Sequence, residues 1–346
     1  MSKTTISIDG LKFRVNGELT HPGTRCEGLL MNTRMVQATF DDLNPETRDN
    51  WRMPDGSAFD AEANTEWFCA MLPTYKAHGI DAVTLNMQGG SPRGYSKHQP
   101  WHNSAYVADG TIRDDYRRRT GRCLDAADEA GVAVILGLFY FGQDERLDGE
   151  AAVLKAVDET VDWLMERGDR HVMVEIANES DIGRHDFPGN FHYEHEVLRP
   201  EPRGGELIRR VQERSGGQLL CSTSYSGGGR LTPSVAAAAD FILLHGNAVE
   251  SSDELLKMIA DSRAVDGYRG QPIVINEDDH FAFGPDDPDN RLLAAVDDGV
   301  GWGYFDYRMD GPPPEPFEAG FQSVPTDWSI DHPRKRAFFD ALKAIT

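Results

Sequence analysis

The stretch "HVMVEIANESD" (171–181) decides how this chain is read. Its apolar run through Val172, Met173, Val174 and Ile176 is a buried strand that ends in two adjacent polar residues, Asn178 and Glu179. Strands covered on both faces are nearly continuous in apolar residues, as in parallel sheets lying under crossover helices. At the C-terminal end of such a strand, a polar side chain faces the place where α/β folds bind ligands.

Seven further segments read the same way: "CEGLLM" (26–31), "DAVTLNM" (81–87), "VAVILGLFY" (132–140), "LLCSTS" (219–224), "FILLHG" (241–246), "PIVINE" (272–277) and "GWGYFDY" (301–307). Amphipathic helical patterns lie between them. The run 59–78 sets Trp67, Phe68, Met71, Leu72 and Tyr75 on one stripe, 150–167 does so with Val153, Leu154, Val157, Val161 and Leu164, and the last helix uses Phe338, Phe339, Leu342 and Ile345. Gly79, Gly131 and Gly168 stand where three helices should close on a left-handed residue. Eight strand–helix units in 346 residues predict an α/β fold, a single (β/α)8 TIM barrel over 1–346, and the first βα turn lacks the GxGxxG loop of a dinucleotide-binding sheet. Before the barrel, "ISIDGLKFRVNGEL" (6–19) alternates in two runs joined by Asp9-Gly10, which predicts an N-terminal β-hairpin cap within residues 1–20.

The formal charge of −22 disfavours nucleic acid and anionic membranes as partners, since both are recognised by clustered Lys and Arg. The chain opens without a charged and then apolar leader, and no apolar run reaches the length of a membrane span, so a cytoplasmic protein is expected. The four cysteines (Cys26, Cys69, Cys123, Cys221) are widely spaced without a CxxC pattern and read as free thiols in apolar surroundings. Long loops at 32–58, 88–113 and 311–325 are candidates for function.

Read at their C-terminal ends, the strands offer Asn32 and Arg34; Asn86 and Gln88; Tyr140 and Gln143; Asn178 and Glu179; Ser224 and Tyr225; His245 and Asn247; Glu277 with Asp278, Asp279 and His280; and Asp306, Tyr307 and Arg308. Amides, acids and aromatics together suit a polyhydroxylated ligand, whose hydroxyls they bind and whose apolar ring faces they pack against. In the long second loop, Trp101 of "QPWHNS" (99–104) either stacks on a sugar or anchors the loop. Arg34 either lowers the pKa of a neighbouring acid or forms a structural pair. Glu175, inside the strand, is expected to pair within the barrel, "RDDYRRR" (113–119) to be a solvated helix face, and "YSGGGR" (225–230) to be a flexible turn rather than a phosphate loop.

On "EIANES" (175–180) and "IVINED" (273–278) the chain resembles the clan of retaining (β/α)8 glycoside hydrolases that includes cellulases, β-mannanases and β-galactosidases. There an Asn-Glu pair ends the fourth strand and a nucleophilic Glu ends the seventh. The resemblance implies a glycosidase without cofactor, acting on an oligosaccharide or glycoside by hydrolysis or transfer. Glu179 would be the acid/base, Asn178 would hold the sugar 2-hydroxyl and Glu277 would attack. Arg34, Asn86, Trp101, Tyr140, Tyr225, His245, Asn247, Asp306 and Tyr307 would line the substrate. The chain departs from the clan on its sixth strand, where Asn247 stands two residues after His245 in place of an aromatic. It departs again on the eighth, where Trp302 lies near the strand start and Asp306 and Tyr307 occupy the end. Two alternatives fit the same residues: a metal-dependent barrel hydrolase built on His245, Asp279 and His280, and a barrel that binds carbohydrate without turning it over.

Overall fold

The computed structural model describes residues 2–93, 99–182, 192–306 and 320–346. It opens with a small antiparallel sheet of β1 (Ile6–Asp9), β2 (Lys12–Val15) and β3 (Glu18–Leu19). Eight parallel strands follow: β4 (Asn32–Arg34), β5 (Ala82–Asn86), β6 (Ala133–Phe139), β7 (Val172–Ala177), β8 (Leu220–Ser222), β9 (Ile242–His245), β10 (Ile273–Glu277) and β11 (Gly303–Tyr304). Alternating with them are α1 (Ala61–Ala77), α2 (Asp114–Ala130), α3 (Glu150–Arg167), α4 (Glu206–Arg214), α5 (Pro233–Ala238), α6 (Ser252–Arg263), α7 (Arg291–Asp297) and α8 (Pro333–Ile345). Gly131 and Gly168 close α2 and α3 in the left-handed conformation, at φ 70° and 73°.

The ladder runs β11-β4-β5-β6-β7-β8, with β9 and β10 as a separate parallel pair. Two seams close the ring. Ile275 N donates to Gly301 O (2.8 Å) and Asp278 N to Gly303 O (3.1 Å), which joins β10 to β11. Asp240 N donates to Cys221 O (3.0 Å), and the Asp240 carboxylate accepts from Cys221 N (2.8 Å), which joins β8 to β9. The chain is therefore a (β/α)8 barrel.

Because side chains alternate along a strand, one set fills the lumen and the other meets the helices. The lumen floor is Leu30, Ala82, Ala133, Ile135, Met173, Phe241, Leu243 and Val274. Phe13 of β2 plugs this floor, edge-on to Phe241 with ring centroids 6.3 Å apart. The N-terminal sheet thus seals the end of the barrel opposite the strand C-termini. Phe13→Ala should cost about 3–5 kcal/mol, read as a fall in the denaturation midpoint by chemical unfolding.

Three expectations need correction. The first strand is Asn32–Arg34 rather than 26–31, because a turn at Cys26–Leu29, with Gly28 at φ 81°, keeps that segment out of the ladder. The N-terminal turn residues are Gly10 and Leu11, and a second hairpin at Asn16-Gly17 makes a third strand. "RDDYRRR" is not a solvated face, since Arg119 is buried and both Arg113 and Arg119 pair with Asp41, tying α2 to the loop after β4. Among the described residues no helix is long and apolar enough to cross a membrane.

Candidate active site

The end of β7 makes an abrupt turn. Asn178 N donates to Phe139 O on β6 (3.0 Å), and the next residue, Glu179, adopts φ 51°. A left-handed backbone at a non-glycine residue is strained, and it persists only where its surroundings over-determine it. Ser224, just past β8, supplies that constraint. Its hydroxyl accepts from Glu179 N (2.9 Å), and its carbonyl accepts from Ser180 N and Ser180 Oγ (2.9 Å each). The strained turn aims the Glu179 side chain at the barrel axis.

Across the mouth a different device aims Glu277. The β9–β10 register slips between Ile275 and Glu277, so that Asn276 and Glu277 together oppose the step to His245. Such a bulge redirects the side chain that follows it. Asn276 remains in the lumen position and Glu277 reaches the mouth, where Arg34 Nε meets its Oε2 at 2.9 Å and Asn247 Nδ2 donates to its Oε1 at 2.7 Å. Arg34 also donates through Nη2 to Asn178 Oδ1 at 2.6 Å, so one guanidinium at the end of β4 fixes both the Asn and the opposite acid. His245 lies between the acids, its Nδ1 3.1 Å from Glu179 Oε1 and 3.5 Å from Glu277 Oε2.

Glu179, His245 and Glu277 present ligand atoms that all lie within 4.8 Å of one another. The two acids, distant in the chain, therefore face each other at the strand C-termini. The same three side chains form a set that could hold a divalent ion. Asp278, Asp279 and His280 form a second group of this kind, so the expected grouping of His245 with Asp279 and His280 does not form. In that second group His280 Nδ1 lies 2.5 Å from Asp278 Oδ1, and Asp278 Oδ2 accepts from Trp302 Nε1.

The two acids differ electrostatically. Burial pushes the Glu179 carboxyl up to about 7; the Asp181 carboxylate adds to the rise and Arg34 opposes it. Burial also raises Glu277 and the neighbouring Glu179 adds to the rise, but Arg34 and the Asn247 hydrogen bond work against it, and Glu179 lacks the close ion pair that Glu277 makes with Arg34. Around neutral pH, Glu179 is the acid that keeps a proton and Glu277 the one stabilised as an anion. Burial holds the His245 imidazolium down, so the ring is neutral.

The remaining expected residues divide into two sets. Tyr140 belongs to the site: burial raises its phenol, with Glu179, Arg34 and Glu277 close enough to act on it. Asn247 and Arg34 belong there as Glu277's partners. Asn86 lies below, in the lumen, where its Oδ1 would sit 2.4 Å from a Cβ on Gly137.

The other expected residues are engaged elsewhere. Tyr225 turns away, its hydroxyl paired with Thr232 Oγ1 (2.9 Å). Trp101 is buried edge-on to Trp51 within the Phe40, Trp51, Val324 cluster and anchors its loop. Asp306 is buried against Tyr304 Oη (2.8 Å) and Arg334 Nε (3.0 Å), which ties the end of β11 to α8. Tyr307 lies outside the described residues. Sequence reasoning missed Asp181 and the clamping role of Ser224, both within five residues of a strand end. Glu175 has no hydrogen-bond partner for either oxygen among the described residues, contrary to the expected pairing.

No protein-family model matches the sequence, and no curated protein is similar to it. Solved structures are similar in fold. An endo-1,4-β-mannanase from Rhizomucor miehei superposes with a TM-score of 0.56 at 13% identity, over 87% of this chain and 90% of that one. A family 5 glycoside hydrolase from Bacteroides vulgatus gives 0.52 at 15% identity, over 98% and 68%. A broad-specificity endoglucanase of family 5, subfamily 4, from Clostridium longisporum gives 0.50 at 11% identity, over 92% and 96%. The chain shares the (β/α)8 fold of these glycoside hydrolases.

Proposed function

We propose that the protein is a retaining glycosidase acting on an oligosaccharide or glycoside. The observation that carries the reading is the facing pair, Glu179 and Glu277, with oxygens within 4.8 Å and unequal surroundings: burial pushes Glu179 up to about 7, while Arg34 pairs closely with Glu277. Retaining enzymes hold their carboxyl groups about 5–5.5 Å apart, whereas inverting ones need roughly 6.5–9.5 Å to admit a water. The names of the superposed structures, an endo-1,4-β-mannanase and an endoglucanase, support the same substrate class.

In the first step a Glu277 oxygen attacks the anomeric carbon. The bond to the leaving oxygen breaks, and Glu179 gives that oxygen its proton. In the second step the Glu179 carboxylate takes a proton from water, the water oxygen bonds to the anomeric carbon, and the Glu277 ester bond breaks. Arg34 stabilises the Glu277 anion before attack and after release. Because Asn178 Oδ1 accepts from Arg34, its Nδ2 is the end left to donate to a sugar hydroxyl, in keeping with a hold on the 2-hydroxyl.

A panel of aryl glycosides tests the reading. Turnover is expected with at least one, and its kcat/KM should fall as pH rises through about 7, where Glu179 loses its proton. Glu179→Gln should remove that descending limb. Binding of oligosaccharides with no turnover anywhere on the panel would instead identify a carbohydrate-binding barrel.

A further inference from the structure

Beneath the acids, the lumen holds polar groups that the proposed chemistry does not use. Glu175 is fully buried on β7, paired in register with Gly137 on β6 and Ser222 on β8. A Cβ on Gly137 would fall 3.3 Å from Glu175 Oε2 and 2.4 Å from Asn86 Oδ1, so the glycine makes the room these side chains occupy. Among the described residues, both Glu175 oxygens, both Asn86 amide atoms, both Asn276 amide atoms, Arg34 Nη1 and His245 Nε2 are buried without a hydrogen-bond partner. Buried polar groups are satisfied in folded proteins, by ordered water where no side chain reaches them. The donors in this set are as informative as the acceptors. Arg34 Nη1 is an obligate donor, His245 Nε2 is the imidazole nitrogen turned away from both acids, and Glu175 lies close enough to bear on both residues.

We propose that Glu175 is a positioning residue. Through buried water it accepts from Arg34 Nη1 and His245 Nε2, fixing His245 as the Nε2–H tautomer and leaving Nδ1 as an acceptor toward Glu179. In a neutral imidazole one nitrogen donates and the other accepts, and the bond made by one decides the role of the other. An Nδ1 acceptor 3.1 Å from Glu179 Oε1 favours the protonated acid, whereas an Nδ1–H would donate to the carboxylate and favour the anion. The tautomer held from below therefore keeps the proton on Glu179. The other groups bearing on this pair are Glu277 and Arg34 at the mouth, Asp181 beyond β7, Tyr140 just past β6 and Tyr193, whose hydroxyl donates to Asn178 O. None of them contacts His245 Nε2.

The first test needs no substrate, so its outcome is independent of the proposed glycosidase activity. Nitrogen-15 NMR of the wild-type protein, with His245 assigned through His245→Gln, should report Nε2–H as the neutral tautomer; Nδ1–H overturns the proposal. In Glu175→Gln the population should move toward Nδ1–H, and an unchanged tautomer overturns the proposal. The second readout rests on the proposed activity. In Glu175→Gln the descending limb of kcat/KM should move to lower pH, on the order of one unit, and a limb that stays in place overturns the link to Glu179. Should Glu175→Gln not fold, Gly137→Ala, which intrudes on Glu175 Oε2 and Asn86 Oδ1, replaces it with the same expected shifts and the same overturning outcomes.

Discussion

Glu277→Gln is expected to lower kcat on the most active aryl glycoside by on the order of 10⁴-fold or more, a loss of about 5 kcal/mol or more in transition-state stabilisation. The amide is nearly isosteric but cannot form the glycosyl ester, and it leaves the Arg34 guanidinium without its anion at 2.9 Å. Circular dichroism of the variant separates lost chemistry from lost fold. A 2-fluoroglycoside of the matching sugar should label the wild-type protein on the peptide containing Glu277. Labelling of a different carboxylate, or a variant that retains more than about a tenth of wild-type kcat, would rule out Glu277 as the nucleophile.

Arg34→Met should be the most destabilising single change at the site. Arg34 is buried and holds Glu277 and Asn178 at once, so its removal strands a desolvated carboxylate. Breaking a buried pair in this way costs about 3–5 kcal/mol. The penalty should depend on pH. Without Arg34 the folded-state pKa of Glu277 rises further above its unfolded value. The stability tied to its proton is then present below the unfolded value and is lost as pH rises through the folded one. Denaturant unfolding at pH 5 and pH 8 should therefore show the larger loss at pH 8, and an equal loss at both would contradict an ionised Glu277 held by Arg34. In the same variant the ascending limb of kcat/KM should shift to higher pH by about 1–3 units, because more alkaline solution is needed to ionise Glu277.

Much of this site was legible before any coordinates. The β7 and β10 runs end where Asn178, Glu179 and Glu277 stand, because a doubly covered strand stays apolar until it leaves the core. The helix stripes at 150–167 and at the C-terminus were equally plain, and Gly131 and Gly168 close their helices as the pattern predicts. The short first strand was harder to locate. "CEGLLM" is as apolar as a strand, but the Gly28 turn and the Asp81 carboxylate that accepts from Met31 N delay the ladder to Asn32.

The fate of polar residues at strand ends depended on partners far away in the chain. Asp306 is a carboxylic residue at a strand end as Glu277 is, yet Arg334 and Tyr304 take it into a structural pair. Tyr225 could have faced a sugar but finds Thr232, and Trp101 packs on Trp51. No local pattern encodes those choices, because each is made by an element that arrives from elsewhere in the fold.

By itself, then, the sequence determined the period of the strands and helices, the count of eight units, and the chemical types delivered to the barrel mouth. Those follow from backbone geometry and the exclusion of apolar surface from water, which act over short stretches of chain. Tertiary structure alone decided that His245 stands between two acids, that Arg34 favours one of them as an anion, and that Glu175 lies beneath without a hydrogen-bond partner among the described residues. Charge and desolvation act through space, so the proton preference of each carboxyl group is set only once the barrel has closed.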